Sequence, residues 1–187
     1  MSDDDEAGMT ATTAATATET EAWVHALGEQ ARDWYLVALR LQGEGHLSSA
    51  SSLLVRASCV EPDSVELREV AARAQFRAGQ YIGAHATFSA MRALASRDDF
   101  AGYASAVCAA CLGRLDEAVA GLYEAVLRRP DVGTYVRALD LVRQLVDELG
   151  DAEPTLMPTY ADPPIPLDRR LLDLELGPRP PVQDGQP

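Results

Sequence analysis

Three consecutive stretches decide how this chain folds: ARDWYLVALRLQGEGHLSSASSLLVRASCVEPDS (31–64), VELREVAARAQFRAGQYIGAHATFSAMRALASRD (65–98) and DFAGYASAVCAACLGRLDEAVAGLYEAVLRRPDV (99–132). Each is 34 residues long, and they align without a gap. Gly45, Gly79 and Gly113 share one position of the period. Glycine is 13 of 187 residues, so two further matches from a given start arise by chance roughly once in two hundred trials. The same period returns Ala38, Ala72 and Ala106; Ala50, Ala84 and Ala118; Leu47, Tyr81 and Leu115; and Leu54, Phe88 and Leu122. Pro62 and Pro130 share a position with Ser96 between them, as Ala57 and Ala125 do with Met91.

The physics of this period is that of a helical hairpin. Apolar residues recur at three- and four-residue steps on both sides of the repeated glycine. Glycine accepts the positive φ of a sharp helix-to-helix turn. Ala38 with Ala50, and their equivalents, are small where two helices must nearly touch. Leu54, Phe88 and Leu122 are large enough to fill the space between helices, and Pro62 and Pro130 end the units. One such pair cannot bury its own faces, whereas three stacked pairs form a continuous core.

Outward from the repeats, Trp23, Leu27, Ala31, Trp34, Ala38 and Leu41 extend the helical pattern towards the N-terminus, with Thr20 as the expected N-cap and Gly43 and Gly45 as stops. Residues 132–149 form one more amphipathic helix, whose stripe includes Val132, Tyr135, Leu139, Val142 and Leu145. It is placed to cap the last hairpin. Residues 1–19 are rich in Asp, Ala and Thr without periodicity and are expected to be disordered. Residues 153–187 hold nine of the eleven prolines, which predicts a solvated, extended tail. The expected organisation is therefore a tail (1–19), a helical domain (20–150) and a Pro-rich acidic tail (151–187).

The first unit, with Trp34, Ala38, Leu41, Gly45, Leu47, Ala50, Leu54, Ala57 and Pro62, resembles the tetratricopeptide repeat (TPR) family. The third resembles it through Ala106, Gly113, Leu115, Asp116, Glu117, Ala118, Leu122, Ala125 and Pro130. The second unit departs at Arg68, where a bulky apolar residue is usual, and at Ser96; the third departs at Gly102. The resemblance implies an all-α, right-handed superhelical α-solenoid of three hairpins (31–64, 65–98, 99–132) with a capping helix at 132–149. It also implies a concave face lined by the first helix of each unit.

Composition narrows the function. All 16 basic residues are Arg, with no Lys and no Asn, which removes Schiff-base chemistry and a P-loop lysine. The net charge of −13 lies mostly at the ends. Residues 1–30 carry −7 and residues 151–187 carry −4, while residues 31–132 carry −1. No basic face for nucleic acid emerges. No run approaches the roughly 18 apolar residues that span a bilayer. The N-terminus lacks a cationic start followed by an apolar stretch, so a cytoplasmic location is expected.

Candidate chemistry is sparse. Cys108 and Cys111 have a CxxC spacing, but no second pair completes a zinc set, and the pair falls late in a helix, where the dipole disfavours thiolate. His25, His46 and His85 are scattered, with no carboxylate or nucleophile expected at triad-like positions beside them. Asp116 and Glu117 sit where a helix begins, so capping accounts for them. Neither an enzyme, a cofactor nor a metal site is expected.

Binding is the remaining reading. The inner face implied by the resemblance holds Tyr35 and Leu39 from the first unit, with Arg32 and Gln42. The second unit supplies Arg73, Phe76 and Arg77, with Glu66 and Glu69. The third supplies Phe100, Tyr103, Val107 and Cys111, and the capping helix adds Arg137 and Leu141. Aromatics and arginines are the types enriched at binding hot spots. The mixture predicts an adaptor that holds a protein or peptide partner with apolar side chains and some acid. The Lys/Asn carboxylate clamp known in this family is absent. Two alternatives stand beside it: a TPR-type chaperone for an exported protein, and a regulatory subunit whose tail occupies its own groove. For the latter, residues 167–176, with Leu171, Leu172, Leu174 and Leu176 among acids and Arg, are the candidate for self-contact, against plain disorder.

Overall fold

The computed structural model describes residues 24–94, 98–150, 169–172, 174 and 176–180. Thr20, Trp23, Ser96, the expected N-terminal tail and most of the Pro-rich segment lie outside them. The described residues are helical, with no strand among them. Helices α1 (Glu29–Gly43), α2 (Leu47–Val60), α3 (Val65–Arg77), α4 (Tyr81–Leu94), α5 (Asp99–Cys111), α6 (Leu115–Arg128) and α7 (Gly133–Gly150) follow in order, and a short α8 (Arg169–Leu172) comes after. They group into two compact units that divide between Ala74 and Gln75.

The repeated glycines make the same turn three times. Gly45, Gly79 and Gly113 have φ of 82°, 72° and 75° and are the positive-φ residues among those described. After α1, His46 N–H donates to the Leu41 carbonyl at 2.8 Å and Gly45 N–H to that of Gln42 at 3.1 Å. Gln80 with Gln75 and Gly79 with Phe76 repeat this at 2.9 and 3.0 Å. Arg114 with Ala109 and Gly113 with Ala110 repeat it at 2.9 Å each. These are Schellman caps, which satisfy helix-end carbonyls and need a left-handed residue at the turn. The other joint is also repeated: Glu61 N–H bonds Ala57 and Arg129 N–H bonds Ala125 at the ends of α2 and α6.

In the first unit, α1 packs on α2. Ala38, Ala50, Leu54, Ala57 and Leu67 are wholly buried, and Tyr35 packs with them. The helix expected to run unbroken from Trp23 is interrupted. A helical turn at 24–26 stops at Leu27, and α1 starts at Glu29 after an extended Gly28. Side chains hold the break open. Glu61 Oε1 accepts from Gly28 N–H at 3.0 Å, and the Arg32 guanidinium donates to the carbonyls of Val24 and Leu27 at 3.1 and 2.7 Å. Orphaned helix-end carbonyls thus find an arginine, which periodicity alone does not reveal. Arg68, a departure from the TPR pattern, donates to the Pro62 carbonyl and so fastens the turn between α2 and α3.

In the second unit, α5 is the centre. It packs on α4 and α6 and touches α7 and α8, and α6 packs on α7. Eleven of its residues are buried. Small residues permit this. At Gly121 of α6 an added Cβ would lie 2.8 Å from Ala106 Cβ, so these helices approach as closely as backbone allows. Towards α4, Ser89 and Ser105 hydroxyls lie 2.8 Å apart and Phe88 meets Phe100 edge-on. Asp98 caps α5 by accepting from Ala101 N–H at 3.0 Å. Ser64, one period earlier, caps α3 through Leu67 N–H at 3.2 Å. The C-terminal helix expected at 132–149 is α7.

Candidate protein-interaction surface

Along α5, Phe100, Tyr103, Val107 and Cys111 fall at three- and four-residue steps and so share one stripe. In an open hairpin array the inner stripe of a first helix faces solvent. Here these four side chains are at most 2% exposed. Part of the cover is α7: Tyr135 stacks on Tyr103 with ring centroids 4.3 Å apart, and its hydroxyl donates to Asp99 Oδ2 at 2.9 Å. Burial and the Asp99 charge push the Tyr135 phenol well above its ordinary range.

The rest of the cover is the chain's own C-terminal segment. Leu171 and Leu176 are buried. At one end, the Leu171 carbonyl lies 3.9 Å from Cys111 Sγ, and the Arg170 guanidinium grips both Glu148 oxygens, at 3.1 and 2.6 Å. At the other end, Arg179 donates to Asp98 Oδ2 at 2.9 Å and lies over the Phe100 ring, 5.3 Å from its centre. Gly177 stands against Thr134 at the start of α7. Leu171 and Arg170 thus meet the C-terminal ends of α5 and α7, and Arg179 and Gly177 meet their N-terminal ends. The segment runs antiparallel to both helices. Asp98 and Cys111 are separated by about 20 Å of helix at 1.5 Å per residue. The seven steps from Leu172, the end of α8, to Arg179 reach about 22 Å when extended. Of the two readings of 167–176, contact with the chain's own helices is the one its described residues carry.

The other expected binding residues are placed as follows. Tyr35 belongs to the core of the first unit, and burial raises its phenol pKa. Leu39 is 42% exposed. Arg73 is paired with Glu69 at 2.8 Å. Phe76 meets Tyr81 edge-on at 5.4 Å, and Arg77 and Arg137 are exposed. Sequence reasoning missed Asp98, Glu148, Thr134 and Arg179. Asp98 had a readable signal, since it shares the capping position of Ser64; Arg179 had none, because a single arginine in a Pro-rich stretch carries no periodicity.

Elsewhere the chemistry is modest. Cys108 and Cys111 are buried free thiols. Burial pushes the Cys111 thiol up to about 12 and that of Cys108 higher still. One expectation is corrected: His85 does have a carboxylate beside it, with Nε2 3.0 Å from Glu117 Oε1. The pair joins α4 to α6 across 32 positions of sequence, a separation that local pattern does not report. A shallow hollow of about 390 Å³ lies between α6 and α7, lined by Val119, Tyr123, Arg143 and Val146 among others.

A solved structure of MamA (AMB-1, P212121 crystal form) matches this architecture. It has a TM-score of 0.54 and covers 80% of this chain and 84% of its own. MamA is a TPR-like protein. The fold of this chain is TPR-like. At 18% identity the likeness is one of fold alone. No protein-family model matches the chain, and no curated protein does. Among the described residues no helix is long and apolar enough to cross a membrane.

Proposed function

We propose that this chain is a non-enzymatic adaptor that holds a segment of a partner protein against the inner stripe of α5, with α7 completing it. The observation that carries this reading is the seating of Arg170, Leu171 and Arg179 against α7, Cys111 and Phe100. A segment of the chain itself lies against the stripe on which the resemblance leads one to expect a ligand. Leu39, Arg77 and Arg137 are the accessible candidates for contact with a partner, and the buried Phe100 and Cys111 lie against the seated segment. A cytoplasmic setting and a lack of nucleic-acid affinity belong to the same reading, supported by the acidic ends and the absence of a basic face.

Affinity capture from the source cell tests it, comparing the wild-type chain with Leu39→Asp/Arg77→Glu/Arg137→Glu. A set of proteins retained by the wild type and lost by the variant, with unchanged circular dichroism, is expected. Equal retention by both overturns the reading.

A further inference from the structure

We propose that the cleft between α5 and α7 selects a segment that sets leucines against it between two arginines, and that the described residues between Arg170 and Arg179 occupy it as a resident stand-in that a partner segment of the same chemistry displaces. This deepens the reading above by naming what the α5 face recognises.

The chemistry of the occupant is legible because it is in place. Its core, Leu171-Leu172-Asp173-Leu174-Glu175-Leu176, alternates apolar and acidic residues from Leu172 on. Residues two apart on an extended backbone point to the same side, so Leu174 and Leu176 share one side. Leu176 is buried and Leu174 half-buried. Gly177 passes Thr134, where an added Cβ would stand 3.8 Å from the Thr134 methyl.

The two ends of the cleft set polarity. Both are acidic: Glu148 at the C-terminal end of α7 and Asp98 at the N-terminal end of α5. Asp98 is the stronger element. Its side chain is 8% exposed; one oxygen caps α5 and the other accepts from Arg179. The Phe100 ring adds a cation–π face for the same guanidinium. A planar cation thus has a carboxylate and an aromatic ring ready together, a pairing that suits Arg better than Lys. The ligand expected from composition was apolar with some acid; this cleft instead favours arginine at both ends.

Occupancy by the chain's own segment suits exchange. Its polar anchors are half-exposed guanidinium pairs, Arg170 at 40% and Arg179 at 35%, and such pairs add little each. Because the segment belongs to the same chain, it competes as an intramolecular ligand with an effective concentration set by the connection. A partner segment that competes needs affinity above that tether, or a modification that loosens the resident.

A fluorescent peptide of residues 167–181 tests this, titrated into the full-length chain and into full-length Leu171→Asp/Leu176→Asp. Binding to the variant at least tenfold tighter than to the wild type is expected, because the resident has been loosened. A scrambled peptide should bind neither. In the variant background, Asp98→Asn, which can still cap α5, together with Glu148→Gln should weaken binding about threefold to fivefold. An Arg170→Glu peptide should lose affinity and regain it on a Glu148→Arg chain, a rescue that a purely structural role for Glu148 would not give. Equal binding by wild type and variant, binding of the scrambled peptide, or no binding while the helical signal is intact would overturn the proposal. If Leu171→Asp/Leu176→Asp loses helix, the Glu148→Arg and Arg170→Glu exchange in the otherwise wild-type chain decides the matter alone. A wild-type chain that elutes as a dimer dissolved by the peptide would assign the cleft to a second copy and overturn occupancy in cis. Successful titration with failed partner capture would leave the cleft's specificity standing and remove the adaptor reading, so the two fail separately.

Discussion

Two glycines, Gly113 and Gly121, are required for different physical reasons, and substitution separates them. Gly113 has φ +75°, and nothing lies within 4 Å of an added Cβ. Its requirement is therefore conformational. A left-handed L-residue costs about 1–2 kcal/mol, offset by about 0.4–1 kcal/mol from the smaller entropy of the unfolded chain. Gly113→Ala should destabilise by about 1 kcal/mol, which in a chain of this length lowers Tm by about 2–4 °C. Gly113→Asn should cost less than half of that, because Asn tolerates this region. Gly121 sits in α6, and its difficulty is the 2.8 Å approach to Ala106 Cβ. Gly121→Ala should cost about 1–3 kcal/mol through overpacking. Adding Ala106→Gly should recover at least half of it. The same Ala106→Gly should do nothing for Gly113→Ala, since no contact links them. Urea unfolding followed by circular dichroism at 222 nm measures the wild type and the six variants, with the Ala106→Gly single variant closing the cycle. A neutral Gly113→Ala, an Asn variant as costly as Ala, or no rescue of Gly121→Ala by Ala106→Gly would refute the reasoning.

Further outcomes follow from the second unit and from the thiols. Tyr135→Phe should destabilise by about 1–2 kcal/mol in thermal unfolding, because it removes a hydrogen bond from a buried phenol to the Asp99 carboxylate. Iodoacetamide at pH 8 should modify exposed Cys59 rapidly and Cys108 and Cys111 only on unfolding, as read by mass spectrometry, because burial leaves the latter two with almost no thiolate. In Leu171→Asp/Leu176→Asp, where the resident is loosened, Cys111 should label faster, and added peptide should slow it again. The hydrogen bond from Arg129 holds the Asp131 carboxyl below its usual range. Its folded pKa is depressed, so its stabilising contribution is present above the unfolded carboxylate pKa and fades as pH falls through the folded value. Asp131→Asn should therefore lower Tm at pH 7 and converge with the wild type in strong acid.

The 34-residue period determined the hairpins by itself, because a turn that needs positive φ admits glycine and little else, and helices that nearly touch admit alanine. Those demands are local, so Gly45, Gly79 and Gly113, and Ala38 with Ala50, disclose them to anyone who aligns the units. The aromatic stripe Phe100–Tyr103–Val107 was legible for the same reason. What only the tertiary structure decided is what lies against that stripe. Arg179 meets Asp98 across 81 positions and Leu171 meets Cys111 across 60, while His85 finds Glu117 across 32. Contacts at such separations leave no periodic trace, because the backbone between them is free to vary as long as it is long enough. The break at Gly28 belongs with them, held by Glu61 from the far end of α2. Periodicity reports the repeating unit; side chains meeting at a distance choose what fills the cleft.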